Sequence, residues 1–493
     1  MKMTGTRTRT SSTTSTVVSL LLLLLFVTLD DAECHRHHHH HRRDHGTAKK
    51  ETGHEKSIIS YMATACRTHT ASITEFGGVG DGVTSNTMAF QRAVDHLAQF
   101  ASDGGSLLYV PKGRWLTGSF NLTSFFTLYL HREAVILGSL DMKDWPLTDP
   151  LPSYGRGRDE EGGRYSSLIR GYKLTDVIIT GDNGTINGQG EMWWHKYRKK
   201  ELKYTRGYLL ETMFSDGVFI SNLTFVNSPA WNIHPVYSSN VTVKGVTILA
   251  PVDSPNTDGI NPDSSSHVLI EDCYVVSGDD CVAIKSGWDE YGIKFGMPSE
   301  HIVIRRLTCI SPSSAVIALG SEMSGGIRDV RAENITAINS ESGVRIKTAV
   351  GRGNYVKDVF VKGMNLNTMK WVFWMTGAYG SHPDDKYDPK AIPTVEGINF
   401  RDILADNVKM AANLAGIEGA PFRGICISNA TIGMIKSKKP AWSCVDIEGV
   451  AMDVVPNPCP SLENTKIDAK SCPFPEDKPP IDLLQFQKCS CNV

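Results

Sequence analysis

The body of the chain lacks an excess of charge of one sign. Its 493 residues contain 51 Lys and Arg against 53 Asp and Glu, and the formal net charge is −2. Binding nucleic acid requires many phosphates to be neutralised, and the body contains no long basic stripe that could do this. We therefore expect no nucleic-acid partner.

The chain also lacks a hydrophobic run long enough for an ordinary membrane span. The apolar segment Val17–Leu29 is shorter than the roughly 20 residues that a spanning helix needs, and Lys2, Arg7 and Arg9 precede it. This order of charge and apolar residues predicts a secretory signal peptide over residues 1–33. An uncleaved N-terminal anchor is the alternative.

Paired Cys-x-x-Cys motifs are missing although the chain has 11 cysteines. This argues against a zinc site. Five cysteines lie late, at Cys444, Cys459, Cys472, Cys489 and Cys491. After a secretory signal, they predict disulfides that hold a Cys-rich C-terminal tail over residues 458–493, with connectivity left open.

Residues 34–65 contain five consecutive histidines, His37–His41. A metal-binding tract is one interpretation. We favour a solvated, disordered linker and exclude it from the fold. The remaining segment, residues 66–457, is predicted to be one domain.

Long amphipathic helical patterns are absent between the apolar segments of this domain, which excludes alternating β and α units. Short alternating strands recur instead, each centred on a turn residue. The turn residues are Asn222, Gly245, Asp272, Arg306, Asn334, Gly363, Asn407 and Asn429, at intervals of 22 to 44 residues. Such repeats predict a parallel β-helix, in which each coil pairs with the next and buries its apolar residues in a shared core.

Both ends of such a stack need a cover. After Ser72 the sequence predicts a glycine-rich turn and an amphipathic helix that ends near Phe100, with Asn86 as its N-cap. We expect this helix to close the N-terminal end, and the Cys-rich tail to close the other end.

Charged residues follow several repeats at similar distances. Asp258 and Asp279 are 21 residues apart, about one coil, and Asp280 is adjacent. Arg345 and Lys347 alternate, so both point to one face. Coils in register would place all five side chains in one groove, with neighbouring backbones about 5 Å apart.

This grouping suits the hydrolysis of a glycoside. Carboxyl groups that repel each other have raised pKa values, which provides a general acid beside a general base. Two cations next to them suit a polyanionic sugar. The alternatives are aspartates that cap turns or bind Ca²⁺, and an Arg-x-Lys pair that merely faces solvent.

The same column adds candidate substrate-binding residues. They are Lys285, Glu322, Tyr379 and His234. His234 precedes a proline, so packing or a turn is its alternative role.

Three motifs carry a family resemblance. They are Asn256-Thr257-Asp258, Gly278-Asp279-Asp280 and Arg345-Ile346-Lys347, in that order on separate coils. Together with EFGGVGDGVT near the start of the domain, they resemble glycoside hydrolase family 28, the polygalacturonases. The resemblance extends from about Ser72 to about Asn457.

This resemblance implies an all-β, right-handed parallel β-helix that hydrolyses α-1,4-galacturonosyl linkages of pectin with inversion. Asp279 then resembles the general acid, and Asp258 and Asp280 resemble the pair that activates water. Arg345 and Lys347 resemble the binders of substrate carboxylates. We expect a secreted cell-wall monomer without a cofactor or metal, and without a membrane partner beyond the possible anchor.

One motif departs from the family. The usual Gly-His-Gly is replaced by ALGSEMSGG, in which Gly320-Ser321-Glu322 occupies its place. This variant resembles a branch that includes exo-acting enzymes, so we prefer exo action. His234 could partly replace the missing histidine.

Three other functions remain open. A hydrolase of rhamnogalacturonan or xylogalacturonan would share the architecture. A Ca²⁺-dependent pectate lyase would use elimination instead of hydrolysis. A non-catalytic pectin-binding wall protein would need none of the aspartates for its function.

Overall fold

The computed structural model describes residues 33–36, 58–436, 438–462 and 471–493. The predicted signal segment, apart from Glu33, therefore lies outside the described residues, as do the five histidines His37–His41. Within the described ranges, no helix is both long and apolar enough to span a membrane.

Strands dominate the described part of the chain, and most of them are short. The first are Glu33–Arg36 (β1), Ile58–Ala63 (β2), His69–Ser72 (β3), Ser106–Val110 (β4), Gly113–Thr117 (β5), Phe120–Asn121 (β6), Phe126–Leu130 (β7) and Ala134–Gly138 (β8). Next come Leu147–Thr148 (β9), Arg164–Tyr165 (β10), Ile169–Tyr172 (β11), Thr175–Gly181 (β12), Gly184–Asn187 (β13), Leu210–Met213 (β14), Asp216–Ser221 (β15) and Leu223–Val226 (β16). They are followed by Ile233–Val236 (β17), Ser239–Lys244 (β18), Thr247–Leu249 (β19), Ser266–Glu271 (β20), Tyr274–Val276 (β21), Val282–Ile284 (β22), Ser299–Arg305 (β23) and Thr308–Ile310 (β24). The last are Ala315–Leu319 (β25), Ile327–Lys347 (β26), Tyr355–Thr376 (β27), Thr394–Ala415 (β28), Phe422–Met434 (β29), Trp442–Val445 (β30), Ile447–Val455 (β31) and Gln487–Asn492 (β32).

Among the residues that the structure describes, helices are few and short. The α-helices are Thr87–Leu97 (α1), Glu191–Arg198 (α2) and Asp289–Phe295 (α3). Single 3-10 turns occupy Ile73–Phe76, Ala98–Phe100, Met142–Asp144, Pro460–Leu462 and Pro480–Leu483.

Successive coils pair in parallel and share one apolar core. One column of aligned, buried residues runs through Val218, Val241, Val268, Ile302, Val330, Val359, Ile398 and Ile425. Each coil places a β-branched residue on the equivalent residue of its neighbour. Burying such a side chain contributes about 1.5–3 kcal/mol, so the stack of coils stabilises itself.

The predicted turn residues form a corner of the β-helix. Asn222, Gly245, Asp272, Arg306, Asn334, Gly363 and Asn429 all have a φ between 49° and 70°. This left-handed conformation suits Gly, Asn and Asp.

One of the predicted turn residues was wrong. The registers that flank Gly363 and Asn429 place Asp402, not Asn407, between them in this corner. Asp402 also has a positive φ of 59° and accepts a hydrogen bond from Asn429 Nδ2 at 2.8 Å. Asn407 instead follows a second bend, where its Nδ2 donates to Thr368 Oγ1 at 2.8 Å.

Helix α1 closes the N-terminal end, as predicted. It buries Ala89, Phe90, Ala93, Val94 and Leu97, and Phe90 stacks on Phe120 with ring centroids 4.5 Å apart. Asn86 occupies the predicted N-cap position, but its side chain does not bond to the helix. Its amide instead binds the backbone of Val79 and Leu116.

Residues 471–493 form a C-terminal strap. We predicted that the tail would cover the C-terminal end, whereas the strap runs back along the coils in reverse order. It is joined by the Cys426–Cys472 disulfide, then by Asp477 to Arg331 at 3.0 Å and Asp482 to Arg305 at 2.8 Å. Its last strand, β32, pairs antiparallel with β2 at the opposite end, and Cys489 bonds to Cys66.

The boundaries of the predicted linker also change. Residues 34–65 were expected to be disordered, but β1 pairs with β3 and β32, and β2 pairs with β32. The alternation in Ile58–Ala63 buries every second residue. The folded unit therefore includes this part of the predicted linker and the strap.

Candidate active site

One sheet of the β-helix carries the predicted aspartates. Ile233, Ile260, Val282, Ile317 and Val344 are aligned partners on five consecutive coils. Asp258 and Asp280 each lie two residues before the aligned residue of their coil. They therefore stack on adjacent coils, with Asp279 beside them.

The three carboxylates converge as predicted. One oxygen of each aspartate lies within 4.8 Å of an oxygen of the other two. Asp258 and Asp280 are buried, whereas Asp279 is partly exposed. The trio lies in a cleft of about 230 Å³.

Asp280 is held in its ionised form. Its Oδ2 lies 2.7 Å from Lys347 Nζ, and its Oδ1 accepts hydrogen bonds from Ser314 Oγ at 2.5 Å and from the backbone N–H of Ala315 at 3.0 Å. Burial opposes this charge, but Lys347 and Arg345 outweigh it and lower the pKa of Asp280 to about 2. Asp280 is therefore an ionised base at any mildly acidic pH.

Asp258 has the opposite character. Burial, reinforced by the charge of Asp279, raises its pKa to about 8. Its Oδ2 accepts a hydrogen bond from Asn261 Nδ2 at 3.3 Å and lies 3.7 Å from Lys285 Nζ. The pair of stacked aspartates therefore shares one negative charge.

Asp279 has a raised pKa, caused first by burial and then by the neighbouring charge of Asp280. Its Oδ1 accepts the backbone N–H of Asp280 at 2.9 Å, and its Oδ2 accepts Asn256 Nδ2 at 3.3 Å. A protonated carboxyl group at the partly exposed position of the trio can donate to an oxygen in the cleft.

A buried arginine orients Asn256. Arg206 Nη2 donates to Asn256 Oδ1 at 2.7 Å, which turns the amide nitrogen toward Asp279. Arg206 is itself fixed by Asp159 at 2.9 Å and packs on the Tyr197 ring at 3.8 Å. Asp159 and Tyr197 also line the cleft.

Lys285 and Glu322, both predicted substrate-binding residues, lie on the cleft wall. Glu322 Oε2 lies 3.2 Å from Lys285 Nζ, and its Oε1 lies 2.7 Å from Arg158 Nε. Burial disfavours the Glu322 charge, yet Arg158 and Lys285 hold its pKa well below the usual range. Glu322 is therefore a fixed anion that positions two cations.

Two aromatic rings complete the wall. Lys285 Nζ lies 4.6 Å above the Trp231 ring, and Lys347 Nζ lies 5.6 Å from the Tyr379 ring centroid. All four side chains line the cleft, which includes the predicted Tyr379. Paired cations and flat rings are suited to a sugar that carries carboxylates.

Arg345 lies behind this wall. Only 7% of the residue is exposed, and it does not line the cleft. Its Nη2 pairs with Glu341 at 2.5 Å, and its guanidinium packs on Trp374 at 4.9 Å. Because Arg345 does not line the cleft, its predicted direct contact with substrate has no support in this geometry. Its charge instead lowers the pKa of Asp280.

His234 was placed in the groove by the sequence, and that placement was wrong. It is fully buried and bridges Glu211 Oε1 at 3.0 Å and Asp263 Oδ2 at 3.2 Å. Since both ring nitrogens are engaged away from the cleft, His234 cannot replace the missing histidine there.

Sequence reasoning missed Arg158, Asp159 and Arg206, because these residues lie outside the repeats and no period points to them. It also missed the Cys281–Cys309 disulfide, which joins the residue after Asp280 to the next coil. Neither cysteine belongs to the group of five near the end of the chain from which disulfides were predicted.

The trio could hold a cation by geometry alone, since its oxygens converge. Two ammonium groups already compete for them, from Lys347 at 2.7 Å and Lys285 at 3.7 Å. A divalent ion would have to bind beside both positive charges. The arrangement is better suited to the transfer of protons.

Comparisons with known proteins identify the family of the chain. The family model described as glycosyl hydrolases family 28 matches residues 108–454. A second model, rhamnogalacturonase A/epimerase, pectate lyase-like, matches residues 70–129. The chain is 62% identical over 443 residues to a probable polygalacturonase of Vitis vinifera, covering 90% of each chain.

Solved structures show the same architecture. An exopolygalacturonase from Thermotoga maritima is 29% identical, with a TM-score of 0.68 over 78% of this chain and 91% of its own. A family 28 exopolygalacturonase of Yersinia enterocolitica gives a TM-score of 0.66 at 19% identity, over 82% and 79% of the two chains. The predicted right-handed parallel β-helix is thus confirmed.

The family model covers the three aspartates, both buried lysines and all coils between them. The Vitis relative extends the match to most of the chain. The protein is therefore a glycoside hydrolase, and it belongs to glycosyl hydrolases family 28.

Proposed function

We propose that the protein hydrolyses α-1,4-galacturonosyl linkages in pectin and polygalacturonate. The observation that carries this proposal is the contrast between Asp279, with its raised pKa, and Asp280, with a pKa of about 2, in a cleft lined by two buried lysines. The names of its relatives, a probable polygalacturonase and an exopolygalacturonase, support it.

Asp279 acts as the general acid. Its proton passes to the glycosidic oxygen as the bond from that oxygen to the anomeric carbon breaks. Asn256 Nδ2, held by Arg206, donates to Asp279 Oδ2 and so fixes the carboxyl group in the cleft. General acid catalysis of this kind contributes roughly 10²–10⁴-fold in rate.

Asp280 acts as the base, with Asp258 beside it. Water adds its oxygen to the anomeric carbon and gives a proton to this pair. The pair then releases a proton to solvent, and solvent returns a proton to Asp279. Both Asp280 oxygens are already hydrogen-bonded, which makes Asp280 a poor nucleophile. We therefore propose a single displacement with inversion.

The spacing of the trio makes this stereochemistry worth testing. Its nearest oxygens lie within 4.8 Å of one another, whereas the carboxyl groups of most inverting enzymes are about 6.5–9.5 Å apart. Proton NMR of the first product distinguishes the two outcomes. Inversion requires the anomer opposite to that of the substrate, and initial release of the retained anomer would overturn the mechanism.

Lys285 and Lys347 recognise the uronate. Both ammonium groups are buried, and the carboxylates around them raise their pKa against the effect of burial, so both stay charged. A substrate carboxylate that enters the cleft meets fixed positive charge without having to order a mobile side chain. Neutral sugars lack this interaction.

The cleft wall supports exo action. Arg158 comes from the segment between β9 and β10, outside the coils, and its guanidinium lies 4.6 Å from the Trp288 ring centroid. It pairs with Glu322, the residue that distinguishes this chain from the Gly-His-Gly pattern. We propose that this wall restricts the cleft to the end of a polymer chain, the mode that the names of the two exopolygalacturonases indicate for those proteins.

We also propose that the protein is secreted and acts in the cell wall as a monomer. The described residues include four disulfides, and such bonds persist in oxidising compartments. The N-terminal pattern of the sequence agrees with export. Sedimentation of the mature protein, with its N-terminus sequenced, tests both statements.

The experiment for activity is an incubation of purified protein with polygalacturonate, rhamnogalacturonan and xylogalacturonan. We expect cleavage of polygalacturonate, with monomers as the first products. Early oligomers would instead indicate endo action, and cleavage of only another polymer would move the protein to that substrate. An unsaturated product that absorbs in the ultraviolet and disappears with chelator would indicate a lyase.

A further inference from the structure

The coil that follows Arg345 and Lys347 carries an outward-facing patch of aromatic and charged residues. Trp371 and Trp374 on β27 are half-buried, and Lys370 is exposed. Trp374 is the aligned partner of Arg345, and Trp371 is the partner of Ser342. The patch therefore continues the face of the β-helix that carries the cleft.

The patch is continuous with the cleft. Tyr379, which lines the cleft, lies 6.2 Å from Trp374 in an edge-to-face contact. Trp374 and Trp371 are in turn 6.1 Å apart between ring centroids. Three rings of one coil thus lead away from the edge of the cleft at Tyr379.

Charges accompany the rings. Lys370 Nζ lies 4.0 Å from the Trp371 ring centroid and 2.8 Å from Glu341 Oε1. Glu341 also pairs with Arg345. Since Lys370 is 45% exposed, a carboxylate in solution can reach its ammonium group.

The coil spacing shows how far the patch lies from the reaction. Trp374 is three coils beyond Asp280, which is roughly 14 Å at about 4.8 Å per coil. This is too far to contact the bond being cleaved. It is within reach of a sugar further along the same polymer.

Packing alone does not account for these residues. The core of β27 is filled by Val372, Phe373 and Met375, which are at most 1% exposed. Trp371 and Trp374 point away from this core, and large aromatic rings at a surface next to a cleft are typical of sites that bind ligands.

We propose that Trp371, Trp374 and Lys370 form a distal subsite for the galacturonate polymer. The indole rings stack on the faces of sugars beyond the one that is cleaved, and Lys370 binds a uronate carboxylate there. This inference rests on the proposed function, because it names the part of the same polymer that the patch binds.

The test compares oligogalacturonides of increasing length on the full-length protein. Trp371→Ala and Lys370→Ala are the informative changes, because Trp374 also supports Arg345. We expect the loss in kcat/KM to grow with oligomer length and to reach roughly tenfold on hexamers. The loss should appear in KM, with kcat nearly unchanged.

Two variants serve as controls. Lys357, whose Nζ lies 4.7 Å from the Tyr355 ring on another face, repeats the lysine–aromatic pair away from the cleft. Lys357→Ala should leave the length dependence unchanged. Trp371→Phe keeps a ring and should retain part of the increase in kcat/KM that longer oligomers give the wild type. It replaces Trp371→Ala if that variant does not fold.

The outcomes separate the two proposals. Losses that are equal at every length, or no loss at all, overturn the distal subsite while cleavage itself supports the proposed function. If the protein binds oligomers without cleaving them, only the proposed function fails, and affinities for the same oligomers decide the subsite. A protein that neither binds nor cleaves them overturns both.

Discussion

At the scale of single residues, three aspartates of one type acquire different chemistry from their neighbours. Lys347 lowers the pKa of Asp280 to about 2 against the effect of burial, while burial raises that of Asp258 to about 8. The sequence predicted that the three would meet and that at least one pKa would rise. The spacing of the aspartates could not predict which one, because Lys347 reaches Asp280 from 67 residues away. Only the family resemblance pointed to Asp279 as the acid.

A change at Lys347 tests this division. Asp280 has a depressed pKa, so it is ionised at mildly acidic pH and the rate should fall only when the pH approaches about 2. In Lys347→Met the carboxylate loses its partner, and its pKa rises. The acidic limb of the kcat–pH profile should therefore move to higher pH, and an unmoved limb would contradict the role of Asp280 as the base.

His234 shows why a column of polar residues does not make a site. Burial disfavours its protonation, but Asp263 and Glu211 outweigh this and raise its pKa. Spacing predicted its coil correctly. The direction of its side chain is set by Glu211 and Asp263, two carboxylates on other coils that face it.

This histidine should contribute to stability in a pH-dependent way. Because folding raises its pKa, His234 contributes stability that is fully present below the pKa of histidine in the unfolded chain, roughly 6.5. This stability is lost as the pH rises through the pKa of His234 in the folded protein. His234→Gln should therefore cost about 3–5 kcal/mol in mild acid and less in alkali. Urea unfolding at several pH values measures this, and a cost independent of pH would contradict a charged His234.

At the scale of structural elements, the corner of the β-helix was the feature best predicted. The turn residues were recognised as a repeat because the left-handed conformation selects Asn, Gly and Asp at the same point of each coil. The error at Asn407 arose because β28 has two bends that each end in such a residue. Only the register distinguishes Asp402 from Asn407.

Gly363 provides a direct test of this corner. Its φ is 70°, and a Cβ would lie 3.3 Å from Asn334 Oδ1. Gly363→Asn should be tolerated, as Asn occupies this corner on other coils. Gly363→Val should destabilise the protein by about 1–2 kcal/mol. Denaturant unfolding measures both variants, and equal stabilities would contradict the left-handed corner at Gly363.

At the scale of the whole molecule, the strap joins the two ends of the β-helix. The Cys66–Cys489 disulfide links residues 423 positions apart, and β2 and β32 pair beside it. The sequence predicted disulfides for the tail but not this path. The strap is held by single side chains of several coils, and these contacts leave no periodic signal.

Removal of this disulfide should weaken the fold without affecting the chemistry. In the double variant Cys66→Ser, Cys489→Ser we expect a loss of about 2–5 kcal/mol in the free energy of unfolding. Neither cysteine lies near the cleft, so kcat on polygalacturonate should be unchanged. Unchanged stability in calorimetry would show that the strap does not hold the two ends together.

The most direct measurement is the rate of Asp279→Asn on polygalacturonate, beside Asp103→Asn as a matched change at an exposed aspartate. An amide at position 279 cannot supply the proton, so we predict a loss of roughly 10²–10⁴-fold in kcat with retained folding. Asp103→Asn should match the wild type. A rate within a few-fold of the wild type for Asp279→Asn would contradict catalysis by the three aspartates.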